Sequence, residues 1–289
     1  MNPPHLIQSV ANPKLRRLAR LRDNRRRRQA SAVLVDGWRE AGIAAKAGLK
    51  LRGLYVSESS LPTTELQSPG PGAVDRQSSD SADHAQDLVR LASERDVLFV
   101  VTDSLISKVA YGQSQRGIVA EFEQPVRTLA SLRLAPEPLL LILDRIEKPG
   151  NLGAIFRCAD AAGVDGVIAT GEAVDLFNPN AIRSSVGAVF TVPAAIAGED
   201  ETMEYLRRHE IRPLAARVES ATSMWEIDFQ GSLAIIVGNE AEGLQERWST
   251  HGGHLVPGVR IPMWGRIDSL NVSVSSAILL YQARQQRLG

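Results

Sequence analysis

A chain of 289 residues leaves room for two domains. Its 44% hydrophobic content suffices for ordinary cores, and no apolar run nears the roughly 20 residues a membrane-spanning helix requires. The N-terminus has no apolar segment of the signal-peptide kind, and the single cysteine, Cys158, cannot form an internal disulfide, so a reducing cytoplasm is expected. The formal net charge of zero hides an uneven distribution: residues 1–30 hold nine Lys or Arg against one acid, Asp23. Charge placed so unevenly points to a polyanion partner for the N-terminal part.

Asn12 and Pro13 read as a helix cap and first turn. Leu15, Leu18 and Ala19 then give a thin apolar stripe on a basic helix, which the run Arg25, Arg26, Arg27 and Arg28 finishes. Four adjacent arginines are read as phosphate contacts, with Arg39 beside them; the plain alternative is a solvated helix end that complements the helix dipole. Ala32–Asp36 reads as a strand, Trp38–Ala47 as a helix and Leu54–Ser57 as a second strand. Residues 57–83, rich in Ser, Pro, Gly and Asp, read as a flexible surface insertion. A helix over Ala85–Glu94, a strand over Val97–Thr102, a short helix over Ser104–Ala110 and a strand over Gly117–Glu123 complete an α/β domain spanning 1–124. Residues 125–138, punctuated by three prolines, read as a linker to a second domain, 139–289.

That domain opens with five apolar residues, Leu139 to Leu143, the pattern of a buried parallel strand. Asp144 ends the run, and a polar turn leads to a helix capped near Asn151. Leu152, Ile155, Phe156 and Ala159 form the core stripe of this helix, while Gly153, Arg157 and Asp160 lie on another face. Cys158 is expected to pack near that stripe. Gly163 ends the helix and Gly166–Ala169 is the next strand. Further along come a helix over Asn178–Ser185 and a strand over Phe190–Ala194. A polar helix near Glu201–Arg208 and a strand over Pro213–Ala216 follow. Buried strands are read at Leu233–Val237 and near Val259–Met263. A last helix runs from Ser269, as its cap, to about Gln286, with Leu270, Val274, Ala277, Ile278 and Tyr281 as its stripe. Val272, Ile278 and Leu279 widen this apolar surface and suggest burial against a second neighbour. His5, His84, His209, His251 and His254 form no credible ligand cluster, so no metal is expected.

Three polar stretches thus stand at the C-terminal ends of buried strands, where open α/β sheets place ligands: Glu147–Arg157, Gly238–Leu244 and Ile261–Ser273. None is a dinucleotide fingerprint. Asn151-x-Gly153-x-x-x-Arg157, Gly238-Asn239-Glu240-x-x-Gly243-Leu244, and Ile261-Pro262-Met263 with Ser269-Leu270-Asn271-Val272-Ser273 resemble, in that order, the three motifs of the SpoU/TrmH class of SPOUT RNA 2'-O-ribose methyltransferases. Arg183–Ala188 is similar to a family segment between them. The likeness covers 139–289. The first domain is similar, less specifically, to the small ribosomal-protein-like α/β domain that precedes the methyltransferase in several members, a plan shared by antibiotic-resistance rRNA methyltransferases.

The resemblance implies an α/β-knot domain with a deep trefoil knot, S-adenosyl-L-methionine folded into the knot loops, and a homodimer with a composite active site. It implies methyl transfer to RNA; the two-domain plan and the basic N-terminal helix put rRNA ahead of tRNA, and a catalytically silent RNA-binding protein on the same scaffold is the alternative. Arg157 is then the catalytic candidate, orienting the ribose hydroxyl and an adjacent phosphate, with Asp160 one turn on to hold its guanidinium; the plain alternative is a surface ion pair of the two. Asn151 either positions Arg157, contacts RNA or only caps its helix. Glu240 either orients arginines or RNA, or caps, and Ser269 and Asn271 divide in the same way. Cofactor contacts, mostly through backbone, are expected at Thr170, Gly171, Ile236, Gly238, Ile261, Met263, Leu270 and Ser273. Ile261 and Met263 suit an adenine slot, or else pack in the core.

Overall fold

The apolar runs become two sheets. The structure, a computed structural model, describes residues 3–61, 76–111, 116–171, 174–218, 221–239, 242–251 and 253–288. The chain divides into two units, Met1–Pro125 with Phe177–Pro179, and Val126–Leu176 with Asn180–Gly289.

In the first unit the order is β1 (His5–Ile7), α1 (Pro13–Arg20), α2 (Asn24–Gln29), β2 (Ala32–Val35), α3 (Trp38–Lys46), β3 (Leu51–Ser57), α4 (Arg76–Glu94), β4 (Leu98–Val101), α5 (Asp103–Val109) and β5 (Ile118–Glu123). The sheet runs β1-β4-β3-β5-β2. Its first three strands are parallel, and β5 is antiparallel to both of its neighbours. Strand β1 was not expected: three residues with one buried side chain give no periodicity to read.

The basic segment is two helices, not one. Asn12 caps α1 by accepting from the Lys14 N–H at 2.9 Å. Asp23, the lone acid, caps α2 by accepting from the Arg26 N–H at 3.0 Å and so restarts the chain in a new direction. The segment read as a flexible insertion is also shorter. Ser57 closes β3, and α4 begins at Arg76 rather than Ala85. No Gly or Pro interrupts the sequence from Arg76 to Glu94, but its first turns carry Ser and Asp instead of an apolar stripe. Residues 62–75 of that reading lie outside the described residues.

The second unit contains β6 (Leu139–Asp144), α6 (Pro149–Ala162), β7 (Gly166–Thr170), α7 (Pro179–Ser184), α8 (Ala188–Thr191), β8 (Ala194–Ile196), α9 (Glu199–Arg208), β9 (Arg212–Ala216), β10 (Thr222–Ser223), β11 (Leu233–Val237), β12 (Thr250–His251), β13 (His254–Leu255), β14 (Gly258–Arg260) and α10 (Val272–Leu288). Seven of its strands form one sheet in the order β8-β7-β6-β11-β9-β14-β10, with every pairing parallel. All five residues of β11 and all six of β6 are buried, which is why both read as unbroken apolar runs. The chain winds outward from β6 to β7 and β8, then returns to place β11 between β6 and β9, so the order reverses at the β6–β11 pair.

Four expectations for this unit are corrected. Residues 125–138 are not a free linker: Leu129 and Leu132 are buried in the core with Leu140, Ile168 and Trp248. The strand read over Phe190–Ala194 is helix α8 followed by β8; Gly187 (φ 90°) and Pro193 allow only one turn, which buries Val189 and Phe190. Helix α6 starts at Pro149, with Lys148 as its cap, so Asn151 sits inside the first turn. Helix α10 starts at Val272, after Asn271, whose side chain accepts from the Ser273 N–H at 2.9 Å; Ser269 is not the cap. Its buried face is Val272, Ser276, Leu279, Leu280 and Ala283, whereas Val274 and Tyr281 are exposed. Ser276 hides this stripe from a hydrophobicity reading, because its hydroxyl is satisfied internally by the Val272 carbonyl at 2.8 Å. Among the described residues no helix is long and apolar enough to cross a membrane.

Close helix packing in the first unit depends on Gly42 of α3, where an added Cβ would lie 2.5 to 2.8 Å from the His84 ring of α4. Gly42→Val is expected to destabilise this unit by about 1–3 kcal/mol through overpacking, read as a lowered midpoint in urea unfolding.

Candidate functional site

Because β6, β7, β11 and β14 are parallel, their C-terminal ends share one edge of the sheet, and the three polar stretches leave from it. Asp144, the last residue of β6, is 1% exposed. A carboxylate so buried needs donors. It receives the Thr170 hydroxyl, from the end of β7, at 2.9 Å, and the Arg247 Nε–H at 2.8 Å. Arg247 also donates from Nη2 to the Gly243 carbonyl at 3.0 Å and from Nη1 to the Gln245 side-chain oxygen at 3.3 Å. Its own carbonyl accepts from Arg217 Nη2 at 2.7 Å.

The second stretch folds back on itself. Gly243 donates its N–H to the Asn239 carbonyl at 2.9 Å. A Cβ on Gly238 would fall 2.4 Å from the Gly243 carbonyl carbon, so only glycine permits the closure. Asn239 reaches the first stretch, with its Nδ2 donating to the Arg145 carbonyl at 2.9 Å. Arg145 has φ 56°, and its N–H donates to the Thr170 carbonyl at 3.1 Å.

The third stretch meets the first directly: Asn271 Nδ2 donates to Asn151 Oδ1 at 3.1 Å. Asn271 Oδ1 takes both the backbone N–H and, at 2.6 Å, the hydroxyl of Ser273. Three sequence-distant bends are therefore tied by side-chain contacts at one end of one sheet.

The individual candidates sort as follows. Arg157 is exposed on α6 and makes no hydrogen bond or ion pair among the described residues. Asp160 does not hold it, because its Oδ1 accepts from the Thr191 hydroxyl at 3.4 Å. Asn151 faces Asn271 and does not cap its helix. Ser269 is exposed, with its hydroxyl on Asp268 at 3.2 Å. Glu240 lies outside the described residues.

Of the expected ligand contacts, the Thr170 hydroxyl is directed to Asp144 and the Ile236 side chain is in the core, so both offer backbone. Gly171 (φ 104°) lies against Arg145, where a Cβ would meet Arg145 Cγ at 3.1 Å. Ile261, Met263 and Leu270 are half-buried, so they are not core residues, and Ser273 is committed to Asn271. Gly153 serves packing: its missing Cβ makes room for Ala181 and Ser184 of α7. Burial pushes the Cys158 thiol up, which makes it a poor nucleophile. No group of three or more His, Cys, Asp or Glu able to hold a metal occurs among the described residues.

In the first unit the basic residues differ in what they touch and in how exposed they are. Lys14 lies over the Phe99 ring at 4.5 Å, Arg17 pairs with the buried Glu121, and Arg22 forms a two-pronged pair with Asp36 at 2.7 and 2.8 Å. Arg27 is 3% exposed and donates to the carbonyls of Leu21 and Arg22 at 3.2 and 2.9 Å. It holds the turn between α1 and α2, which removes it from the expected phosphate contacts. Arg16, Arg20, Arg25, Arg26, Arg28 and Arg39 are exposed.

Asp144, Arg247 and Arg217 were not singled out from the sequence. A carboxylate directly after five buried apolar residues was a usable signal, since it must be desolvated. Nothing in spacing identified its partner, 103 residues away.

Comparisons with known proteins identify the family. Residues 138–281 match the model of the SpoU rRNA Methylase family, and residues 12–120 match an MRM3-like substrate binding domain. Over 188 residues the chain is 38% identical to the 23S rRNA (guanosine-2'-O-)-methyltransferase RlmB of Bordetella pertussis, covering 63% of this chain and 75% of that one. It superposes on a crystal structure of an RNA 2'-O ribose methyltransferase with a TM-score of 0.76 and 34% identity, over 98% of this chain and 100% of the other. An AdoMet-bound rRNA methyltransferase from Sinorhizobium meliloti gives a TM-score of 0.80 at 26% identity, over 98% of each chain.

The folded-back loop yields a structural prediction. Gly238→Ala is expected to force the loop open and release the Gly243 N–H from Asn239, so the 238–248 segment should exchange amide hydrogen faster, by about tenfold or more, in mass spectrometry. Unchanged exchange would show that the loop accommodates the methyl group.

Proposed function

The chain belongs to the SpoU rRNA methylase family, and on that premise we propose that it transfers a methyl group from S-adenosyl-L-methionine to a ribose 2'-hydroxyl of ribosomal RNA. The observation that carries this reading is the linkage of the polar stretches, Asn271 to Asn151 and Asn239 to Arg145, at the end of the sheet from which α6 leaves, a helix that carries the exposed guanidinium of Arg157. The residues fit an adenosyl group. Ile261, Met263 and Leu270 offer half-buried apolar surface, and Gly171 and Gly238, both half-buried, end the strands beside it.

The cofactor, when bound, supplies an electrophilic methyl carbon on a sulfonium. The chain supplies placement and charge. Arg157 keeps its proton, since an arginine is very hard to deprotonate. It therefore orients the 2'-hydroxyl and an adjacent phosphate by donation, and it stabilises the alkoxide charge that grows as the oxygen attacks. A phosphate oxygen of the RNA takes the hydroxyl proton. The Asn271–Asn151 contact ties the start of α10 to the first turn of α6. Glu240 is assigned the orienting of arginines or RNA.

The exposed Arg16, Arg20, Arg25, Arg26, Arg28 and Arg39 of the first unit contact RNA phosphates. A homodimer is part of the same reading, supported by exposed Val274 and Tyr281, which share one face of α10 with half-buried Ile278. A trefoil knot is supported by β11 lying between β6 and β9, and by α10 returning to α6, where Arg284 donates to the Ala162 and Gly163 carbonyls. A cytoplasmic location follows from an rRNA substrate.

Transfer of tritium from labelled S-adenosylmethionine into rRNA tests the activity; RNA binding without incorporation would sink it. Arg157→Ala should lower transfer by about 100-fold or more and leave affinity for S-adenosylhomocysteine, measured by calorimetry, within about twofold. A large loss of that affinity would contradict the role given to Arg157. Replacing Arg25, Arg26 and Arg28 with Gln should weaken RNA binding and make the slope of log K against log salt shallower by about two to three units. An unchanged slope would remove α2 from the interface.

A further inference from the structure

Arg247 lies outside the three motif stretches, four residues beyond Gly243, and its side chain is only 14% exposed. One guanidinium here makes three kinds of contact: to the fully buried Asp144 carboxylate at the end of β6, to the Gly243 carbonyl that closes the second loop, and to the Gln245 side chain. Asp144 in turn receives the hydroxyl of Thr170, the residue before Gly171. The ends of β6 and β7 and the loop after β11 thus share a single carboxylate. Both Arg217 nitrogens hold carbonyls of the same segment, Gln245 and Arg247, fixing the backbone where Gln245 and Trp248 take positive φ of 48° and 58°. A non-glycine residue there is strained, and such strain persists only where the surroundings enforce it.

We propose that Arg247, acting through Asp144, is a positioning residue that holds the Gly243 backbone against Gly238 at the sheet edge and so shapes the cofactor cradle. This rests on the function proposed above. A lysine at 247 keeps a positive charge for Asp144 but has no planar fork to reach the carboxylate and the Gly243 carbonyl together. A methionine leaves the carboxylate buried with the Thr170 hydroxyl alone.

A structural control exists in the same domain. Arg287 donates to the carbonyls of Glu137, Phe229 and Gly231, which precede β6 and β11, at the opposite edge of the sheet. Wild type, Arg247→Lys, Arg247→Met and Arg287→Met are compared by thermal unfolding, by calorimetry with S-adenosylhomocysteine, and by steady-state methylation with varied S-adenosylmethionine. Arg247→Lys should bind S-adenosylhomocysteine about tenfold more weakly. Its KM for S-adenosylmethionine should rise in step, with kcat at saturation little changed. Arg247→Met should bind more weakly still, and Arg287→Met should lose thermal stability with wild-type affinity. Should Arg247→Met not fold, the lysine variant carries the comparison. If both Arg247 variants lose stability while retaining wild-type affinity and KM, Arg247 is only a structural residue and the inference is wrong. Wild-type protein that fails to bind S-adenosylhomocysteine would overturn the functional reading, and this inference with it.

Discussion

The second unit is built over one buried charge. Asp144 ends a strand whose other residues are all apolar and inaccessible, so its carboxylate has left water without leaving the protein's central sheet. The desolvation cost of an ionised carboxylate is several kcal/mol and is offset only by well-placed donors. Thr170 and Arg247 are those donors, and each comes from a different crossover of the sheet. A hydrophobic residue at 144 would have been easier to bury. The carboxylate instead requires that the end of β7 and the loop after β11 arrive together, which couples loop placement to strand pairing. The β6–β11 pair at which strand order reverses is where this charge sits, and a crevice outside such a reversal is where open parallel sheets bind ligands.

Three glycines at this end of the domain have different duties, although they read alike in sequence. Gly238 is needed because the returning loop passes within van der Waals distance of its Cα. Gly153 is needed because α7 lies against α6 at that point. Gly171 is needed for its backbone angle, φ 104°, which a Cβ would strain. Gly238 and Gly171 act at the sheet edge itself, whereas Gly153 acts through helix packing. A motif written as a string of invariant types would not separate these roles.

Much of this fold was legible in the sequence, for reasons visible residue by residue. Strands β6 and β11 declared themselves because burial on both faces forces continuous apolar runs. Helix α6 ended where Gly163 could adopt φ 63°. The failures share a cause, a polar residue whose partner is distant or internal. Ser276 sits on the buried face of α10, satisfied by its own helix, and diverted the apolar stripe toward Val274 and Tyr281. Asp23 looked like one acid lost among arginines, yet it caps α2 and divides the basic segment. Arg27 looked like its three neighbours, but it spends its guanidinium on two carbonyls at the turn. In the site, the three motifs announced Asn151, Asn239 and Asn271. Which of them touch, and that Asp144 and Arg247 lie beneath them, depended on strand order, and local spacing carries no information about strand order.

The division of labour among the arginines bears on how the two units work. Many bind carbonyls or carboxylates, and several of these, such as Arg22, Arg27, Arg217, Arg247, Arg284 and Arg287, sit at turns or in the last turns of helices, where backbone oxygens lack partners. A guanidinium suits this task because its planar fork reaches several acceptors and it stays charged when half-buried. Arg157 departs from the pattern. It projects from α6 into solvent, with Asp160 already engaged by Thr191 and no carbonyl offered to it. A guanidinium with no hydrogen bond or ion pair among the described residues gains little for the fold of this chain. Its placement is explained by an acceptor that arrives from outside, and a ribose–phosphate backbone supplies one of the right charge and geometry.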